Sequence, residues 1–275
     1  MKQILLLTDF SDNSRNAINY ALEFFKGEPC QFHVMHVHKM GTFTSDDLMM
    51  SSESNIYDSI VKAPKEKLVR LVNSLKNSFK NSNYTFETIV DFDDFTDAVN
   101  QVVTSKSIEL VIMGTNGKTG AKEVIFGSNT LNVVRNVHCN TLVIPENYKY
   151  KAPKTALLPL NTKDTVHGSS INRLKQFLQA YNLDFKVLRV NPDGKEHPEF
   201  KLFDRSNLED LKYDYFIIND VPLHYAVNSF IQLKNIDVAV ILVKDEGFFD
   251  RLFSGSAVTK LSNSLKLPML VLHND

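Results

Sequence analysis

The chain has 275 residues, a length that fits two ordinary domains, and 43% of them are hydrophobic, enough to build the cores of both. The formal net charge is −1 and there is no Lys/Arg run, so no global field draws the protein to nucleic acid or to an anionic membrane. No apolar run approaches the length of a membrane span, and the N-terminus enters a strand with only Lys2 ahead of it, so no signal peptide is read there.

Residues 3–8 form an apolar strand that ends in Asp9. Ser11 or Asp12 is placed to cap the next helix, whose Ala17, Ala21, Leu22 and Phe25 make one apolar face. A second strand runs from Gln31 to Val37, and the polar stretch 39–52 follows it as a loop. The helical region beyond reaches about Phe79 and is expected to break or kink at Pro64. Tyr84–Val90 is a third strand, and Phe95–Val103 a helix with Asp94 near its start. A buried strand at 108–113, a helix near 128–137 and the strand Thr141–Ile144 complete the unit. Strands that alternate with helices imply a parallel sheet covered on both faces.

The stretch between the fourth strand and its helix carries the strongest chemical signal. Gly114, Gly117 and Gly127-Ser128 are spaced as glycine, two residues, glycine, nine residues, Gly-Ser. A phosphate needs converging backbone N–H groups, and glycine clears side chains from that approach and reaches positive φ where a loop requires it. Gly127-Ser128 precedes a helix, whose free N–H groups and dipole favour an anion. Lys118-Thr119 hints at a P-loop, but that motif needs a glycine where Ile112 stands, and the dinucleotide fingerprint is absent.

After the polar linker 146–154 the order recurs. Strands are expected from Ala156, over Phe185–Val190, Tyr215–Ile218 and Ile236–Val243, and over Pro268–Leu272, with helices at 169–180 and 223–234. The second unit is read as shortened where the first has its long helix, and Pro192–Asn207 has little apolar periodicity. Gly255-Ser256 repeats Gly127-Ser128 at a period of about 128 residues, too long for a solenoid. The boundaries expected are 1–147 and 152–275.

This glycine pattern, set after a fourth strand, resembles the nucleotide-binding motif of the universal stress protein family, and the whole chain resembles a tandem, two-domain member. The resemblance implies an α/β fold with two tandem doubly wound domains, each with a mostly parallel five-stranded sheet of the adenine nucleotide alpha-hydrolase-like kind. It implies a cytoplasmic stress-response protein that binds ATP or AMP, with Mg²⁺ accompanying a triphosphate. Residue by residue it places Asp9 on the adenosine moiety and the backbone of Val37 and His38 on adenine. Gly114 falls near the ribose, and Gly117, Gly127, Ser128 and Asn129 around the phosphates. Lys118 and Lys122 add positive charge without a motif that requires them. Asp9 has an alternative reading as a turn or capping carboxylate within Asp9-Phe10-Ser11-Asp12. The resemblance also implies pairing through last strands, Thr141–Ile144 beside Met269–Leu272, as a pseudo-dimer within the chain, with homodimerisation as the other possibility.

The second half lacks these features. Its first strand ends Leu158-Pro159-Leu160-Asn161-Thr162 with no acid, and its loop 243–256 lacks the early glycines and carries Asp245 and Glu246, which repel phosphate. It reads as a non-binding copy, in which Phe248 and Phe249 cover the pocket or meet a partner. His36 and His38 share a strand face, but no Cys or carboxylate nearby completes a zinc site, so no metal is assigned. Cys30 and Cys139, the only cysteines, are expected to be reduced core or near-core thiols. No serine sits in a nucleophile elbow, and no base or metal carboxylate is marked for phosphoryl transfer, so any ATP hydrolysis is expected to be slow. The alternative function is a nucleotide-free interaction scaffold.

Overall fold

A computed structural model describes residues 1–38, 62–80, 83–115, 127–162, 164–195, 197–243 and 266–273. In chain order the first half comprises β1 (Lys2–Leu7), α1 (Asp12–Phe24), β2 (Cys30–Val37), α2 (Ala63–Ser78), β3 (Tyr84–Asp91), α3 (Phe95–Ser105), β4 (Leu110–Gly114), α4 (Ser128–Asn136) and β5 (Thr141–Ile144). The second half comprises β6 (Thr155–Asn161), α5 (Ser169–Ala180), β7 (Asp184–Asn191), α6 (Pro198–Asn207), β8 (Tyr213–Asn219), α7 (Leu223–Leu233), β9 (Val238–Val243) and β10 (Met269–His273).

The ten strands among the described residues form one sheet in the order β3-β2-β1-β4-β5-β10-β9-β6-β7-β8. Every pairing is parallel except β5 with β10, which is antiparallel. The central strands β1, β4, β5, β6, β9 and β10 are largely buried and read as apolar runs rather than alternating ones, whereas the edge strands β3 and β8 are only partly buried. Ile4 and Leu6 of β1 enter a core with α1, α2 and α5, whereas Leu5 and Leu7 enter a core with α3, α4 and α7. The fold is therefore doubly wound α/β, with helices on both faces of a mostly parallel sheet.

The two halves share strand order and register. Ile4 pairs with Phe32 on one side and Leu110 on the other, and Ala156 pairs with Phe185 and Val238. A carboxylate closes each first strand in the same way: Glu109 Oε1 accepts from Gln3 N at 2.9 Å, and Asp237 Oδ2 from Thr155 N at 3.1 Å. At the seam Leu142 stands opposite Leu270, its counterpart in the repeat. Helices α1 and α5 meet above the seam, where the Phe24 and Tyr181 rings lie 4.5 Å apart. Tyr148 and Tyr150 of the connecting segment close on Tyr20 from the other side.

Two readings are refined here. The segment 192–207 contains a helix, α6, which apolar periodicity did not reveal because its one buried residue is Asp204, while Leu202 and Phe203 are exposed. Pro64 stands in the first turn of α2, where its missing N–H costs no hydrogen bond. The polar stretch 39–52 and the loop 244–256, with Phe248, Phe249 and Gly255, lie outside the described residues.

Candidate functional site

Strand order reverses between β1 and β4, and a crevice opens there at the carboxyl ends of the strands, the usual ligand position in an open α/β sheet. The turn after β1 forms one wall. Asp9 Oδ1 accepts hydrogen bonds from both the N–H and the hydroxyl of Ser11. Ser11 in turn caps α1 by accepting from Ser14 N at 3.2 Å. Phe10 N donates to Thr8 Oγ1 at 3.0 Å, and this web holds Phe10 at φ 64°, a conformation uncommon for a bulky residue. Burial pushes the Asp9 carboxyl up, but the bonds from Ser11 and Ser14 outweigh it and hold its pKa below the ordinary carboxylate value. Asp9 is therefore an anion with the hydrogen-bonding geometry of a turn, and it also faces the crevice.

The second wall comes from β2. His36 Nδ1 lies 2.8 Å from the carbonyl oxygen of Thr8, which ties β2 to the turn, and Val37 follows it into the crevice. The third wall is the β4–α4 connection. Thr130 Oγ1 donates to the carbonyls of Gly114 and Thr115, each at 3.0 Å, and Gly127 N donates to Thr115 O at 2.7 Å. These bonds bring the first turn of α4 against the end of β4, so that Gly127, Ser128 and Asn129 present the helix N-terminus to the crevice.

The cavity so formed has a volume of about 320 Å³. Asp9, Val37, Gly114, Gly127, Ser128 and Asn129 all line it. His38 does not: its N–H is engaged with Asp91 O at 2.8 Å, which continues the ladder with β3. Gly117, Lys118 and Lys122 lie outside the described residues. Thr8, Ser14, His36, Phe95 and Thr130 line the cavity without having been singled out for it. For Phe95 and Thr130 a signal existed, since each stands in the first turn of a helix that begins at the carboxyl edge of the sheet. His36 was weighed as a metal ligand only.

The glycines act differently from expectation. Gly127 adopts φ −64° and ψ 154°, extended backbone open to any residue, and Gly114 has no positive φ either. What Gly114 needs is space, because a Cβ there would come within 2.9 Å of the Asn13 side chain. Its absence of a side chain lets the start of α1 close on the end of β4.

The matching positions of the second half carry different residues. Counted from the shared register, Asn161 stands at the place of Asp9, Arg189 at that of His36 and Leu242 at that of Gly114. Arg189 is buried and pairs with the fully buried Asp204 of α6, Nη2 lying 2.6 Å from the carboxylate. Its Nη1 donates to the carbonyls of Asn161 and Asp164, and Tyr215 OH donates to Asp204 at 2.6 Å.

Elsewhere, a larger cavity of about 430 Å³ lies beneath α1 and α5 at the amino ends of β1 and β4. It includes no glycine and no helix N-terminus, so the chemistry points to the smaller crevice. Among the described residues no group of three or more His, Cys, Asp or Glu side chains is placed to hold a metal. His33 is buried and bonded to Gln3 and Glu87, each at 2.8 Å. Cys30 and Cys139 are buried free thiols, pushed up by burial to about 11 and about 12 respectively.

Fold and site together define a doubly wound α/β protein with a carboxyl-end crevice beside a Gly-Ser helix start. Residues 1–145, just over half of the chain, match the family model described as the Universal stress protein family, and the chain belongs to that family. A universal stress protein of Methanocaldococcus jannaschii is 24% identical over 150 residues, covering 52% of this chain and 81% of the relative. One from Bacillus subtilis is 22% identical over 144 residues, covering 52% of this chain and 97% of its own. The crystal structure of a universal stress protein from Archaeoglobus fulgidus superposes with a TM-score of 0.68 at 16% identity, covering 99% of this chain and 96% of that one. That likeness extends the shared fold over both halves.

Proposed function

We propose that the first half of this protein binds an adenine nucleotide, ATP or AMP, and that the chain acts in the cytoplasm as a nucleotide-responsive regulatory module of a stress response. The observation that carries the reading is the convergence of Asp9, Val37, Gly114, Gly127, Ser128 and Asn129 on one cavity at the topological switch point. These residues fit the ligand chemically. The Asp9 carboxylate accepts from hydroxyl or amino groups of adenosine, and the start of α4 offers N–H groups and the Ser128 hydroxyl to phosphates. Magnesium would travel with a triphosphate rather than with a protein carboxylate.

In this reading residues 1–147 are the binding domain, and 152–275 are a non-binding copy that packs on it as a pseudo-symmetric partner. Arg189 and Leu242 stand at the places of His36 and Gly114, which supports that asymmetry. The output is a change of conformation or association biased by the nucleotide, and hydrolysis is slow at most. Purified protein is denatured and the supernatant examined by mass spectrometry, followed by calorimetric titration with ATP and AMP. Released adenine nucleotide, or saturable binding, is the expected result. Neither release nor binding would leave the chain as an interaction scaffold.

A further inference from the structure

On the outer side of Phe10, away from the crevice, a further cavity of about 350 Å³ opens between α1 and α2. Lys67, Arg70 and Ser74 of α2 line it, one helical turn apart on a single face, and Arg15 of α1 faces them across the gap. Phe10 and Leu71 form its apolar floor. The chain as a whole carries a net charge of −1, yet three cations converge here. Among the described residues their compensation is small. Arg70 is 3.9 Å from Glu66 across one turn of α2, and both side chains are more than half exposed. Arg15 and Lys67 have no ion pair among the described residues. Asp12 and Glu66 are the carboxylates in the first turns of the two helices. Like charges held together in a concave, partly apolar setting attract an anion more strongly than scattered surface charges do.

We propose that this cavity is an anion site, separate from the nucleotide crevice, for a small soluble molecule that carries two or more phosphate groups. Arg15 and Arg70 present planar donor forks suited to phosphate oxygens, Lys67 adds a point charge, and Ser74 supplies a hydroxyl donor. The three cations match a ligand of multiple charge, and the cavity volume admits a small molecule. Phe10 separates the two sites: its ring lies 4.5 Å from that of His36, which lines the crevice, while it also floors the anion cavity.

The test uses the full chain, inorganic tripolyphosphate as the probe of the anion site and adenosine, which has no phosphate, as the probe of the crevice. Calorimetry at low salt should show tripolyphosphate binding that weakens as salt is added. Arg15→Gln, Lys67→Gln and Arg70→Gln combined should weaken it by at least about tenfold and leave adenosine affinity within about twofold. The charge-preserving set Arg15→Lys, Lys67→Arg and Arg70→Lys should retain most of the tripolyphosphate binding, which separates lost charge from lost folding. Gly127→Val, which alters the crevice, should leave it intact. Tripolyphosphate binding that survives the glutamine set, or that disappears with Gly127→Val, overturns the proposal. Vesicles containing phosphatidylglycerol supply the comparison: if they capture the wild-type chain and tripolyphosphate does not bind, the soluble ligand is the wrong assignment. Failure of adenosine to bind bears on the crevice alone and leaves this site standing.

Discussion

Asp9 has two roles open to it, and its hydrogen bonds show the first of them. Its Oδ1 shapes the turn by accepting from Ser11, while the residue as a whole lines the crevice. If it also binds the adenosine part of the ligand, its contribution is independent of the number of phosphates. Asp9→Ala should then weaken ATP, ADP and AMP by a similar factor, about tenfold to a hundredfold for one charge-assisted bond. Titrating the three nucleotides with and without Mg²⁺ checks this. Losses that grow steeply with phosphate number would move Asp9 to a metal contact, and unchanged affinities would leave it as a turn residue only.

Among the elements, α6 is held by charge rather than by an apolar stripe. Arg189 is buried, and its guanidinium depends on Asp204 for neutralisation. Asp204→Ala should strand that charge and cost about 3–5 kcal/mol, measured as a shift of the urea unfolding transition. Pairing it with Arg189→Met should recover part of the loss, since no buried charge then remains; equal loss in both variants would show that the ion pair is not what secures α6. The segment that joins β5 to β6 is held by a second carboxylate. Asp237 accepts from Lys151 Nζ and from the N–H groups of Lys154 and Thr155. Burial pushes this carboxyl up, but those donors outweigh it and hold it below its ordinary value of 3.8. A carboxyl depressed in the folded state contributes stability that is complete above its unfolded pKa and is lost as pH falls through the folded one. The urea midpoint should therefore decline as pH drops below about 4, and Asp237→Asn should lower it at neutral pH and flatten that decline. Parallel pH profiles for the two chains would remove Asp237 from the account.

At the scale of the whole molecule, one sheet carries two strand-end sites built on the same register but not alike in content. The first is a cavity; the second has Arg189, Leu242 and Asn161 at the matching positions. The full chain should bind one nucleotide, and Gly127→Val should abolish that binding while near-ultraviolet circular dichroism stays unchanged. Because the backbone at Gly127 is extended, the expected loss comes from a side chain projecting toward the phosphates and not from backbone strain. Two nucleotides per chain, or binding unaffected by Gly127→Val, would refute the asymmetry and the phosphate assignment respectively.

The elements were legible from the sequence wherever burial imposed a period or an apolar run: β1, β2, β5, α5 and β9 fall within a residue or two of their expected places. The places of Asp9 after a strand and of Gly127-Ser128 at a helix start were equally readable, because a strand end and a helix start mark positions along the chain. Helix α6 escaped because a buried ion pair leaves no periodic trace. His36, Phe95 and Thr130 reach the crevice only once β2, α3 and α4 are set beside β1. The anion cavity escaped for the same reason, since Arg15 and Lys67 belong to different helices and meet only in the folded chain. Local patterns along the chain decide which segment forms which element. Which side chains face one another across a gap is decided by packing, and that exists only in three dimensions.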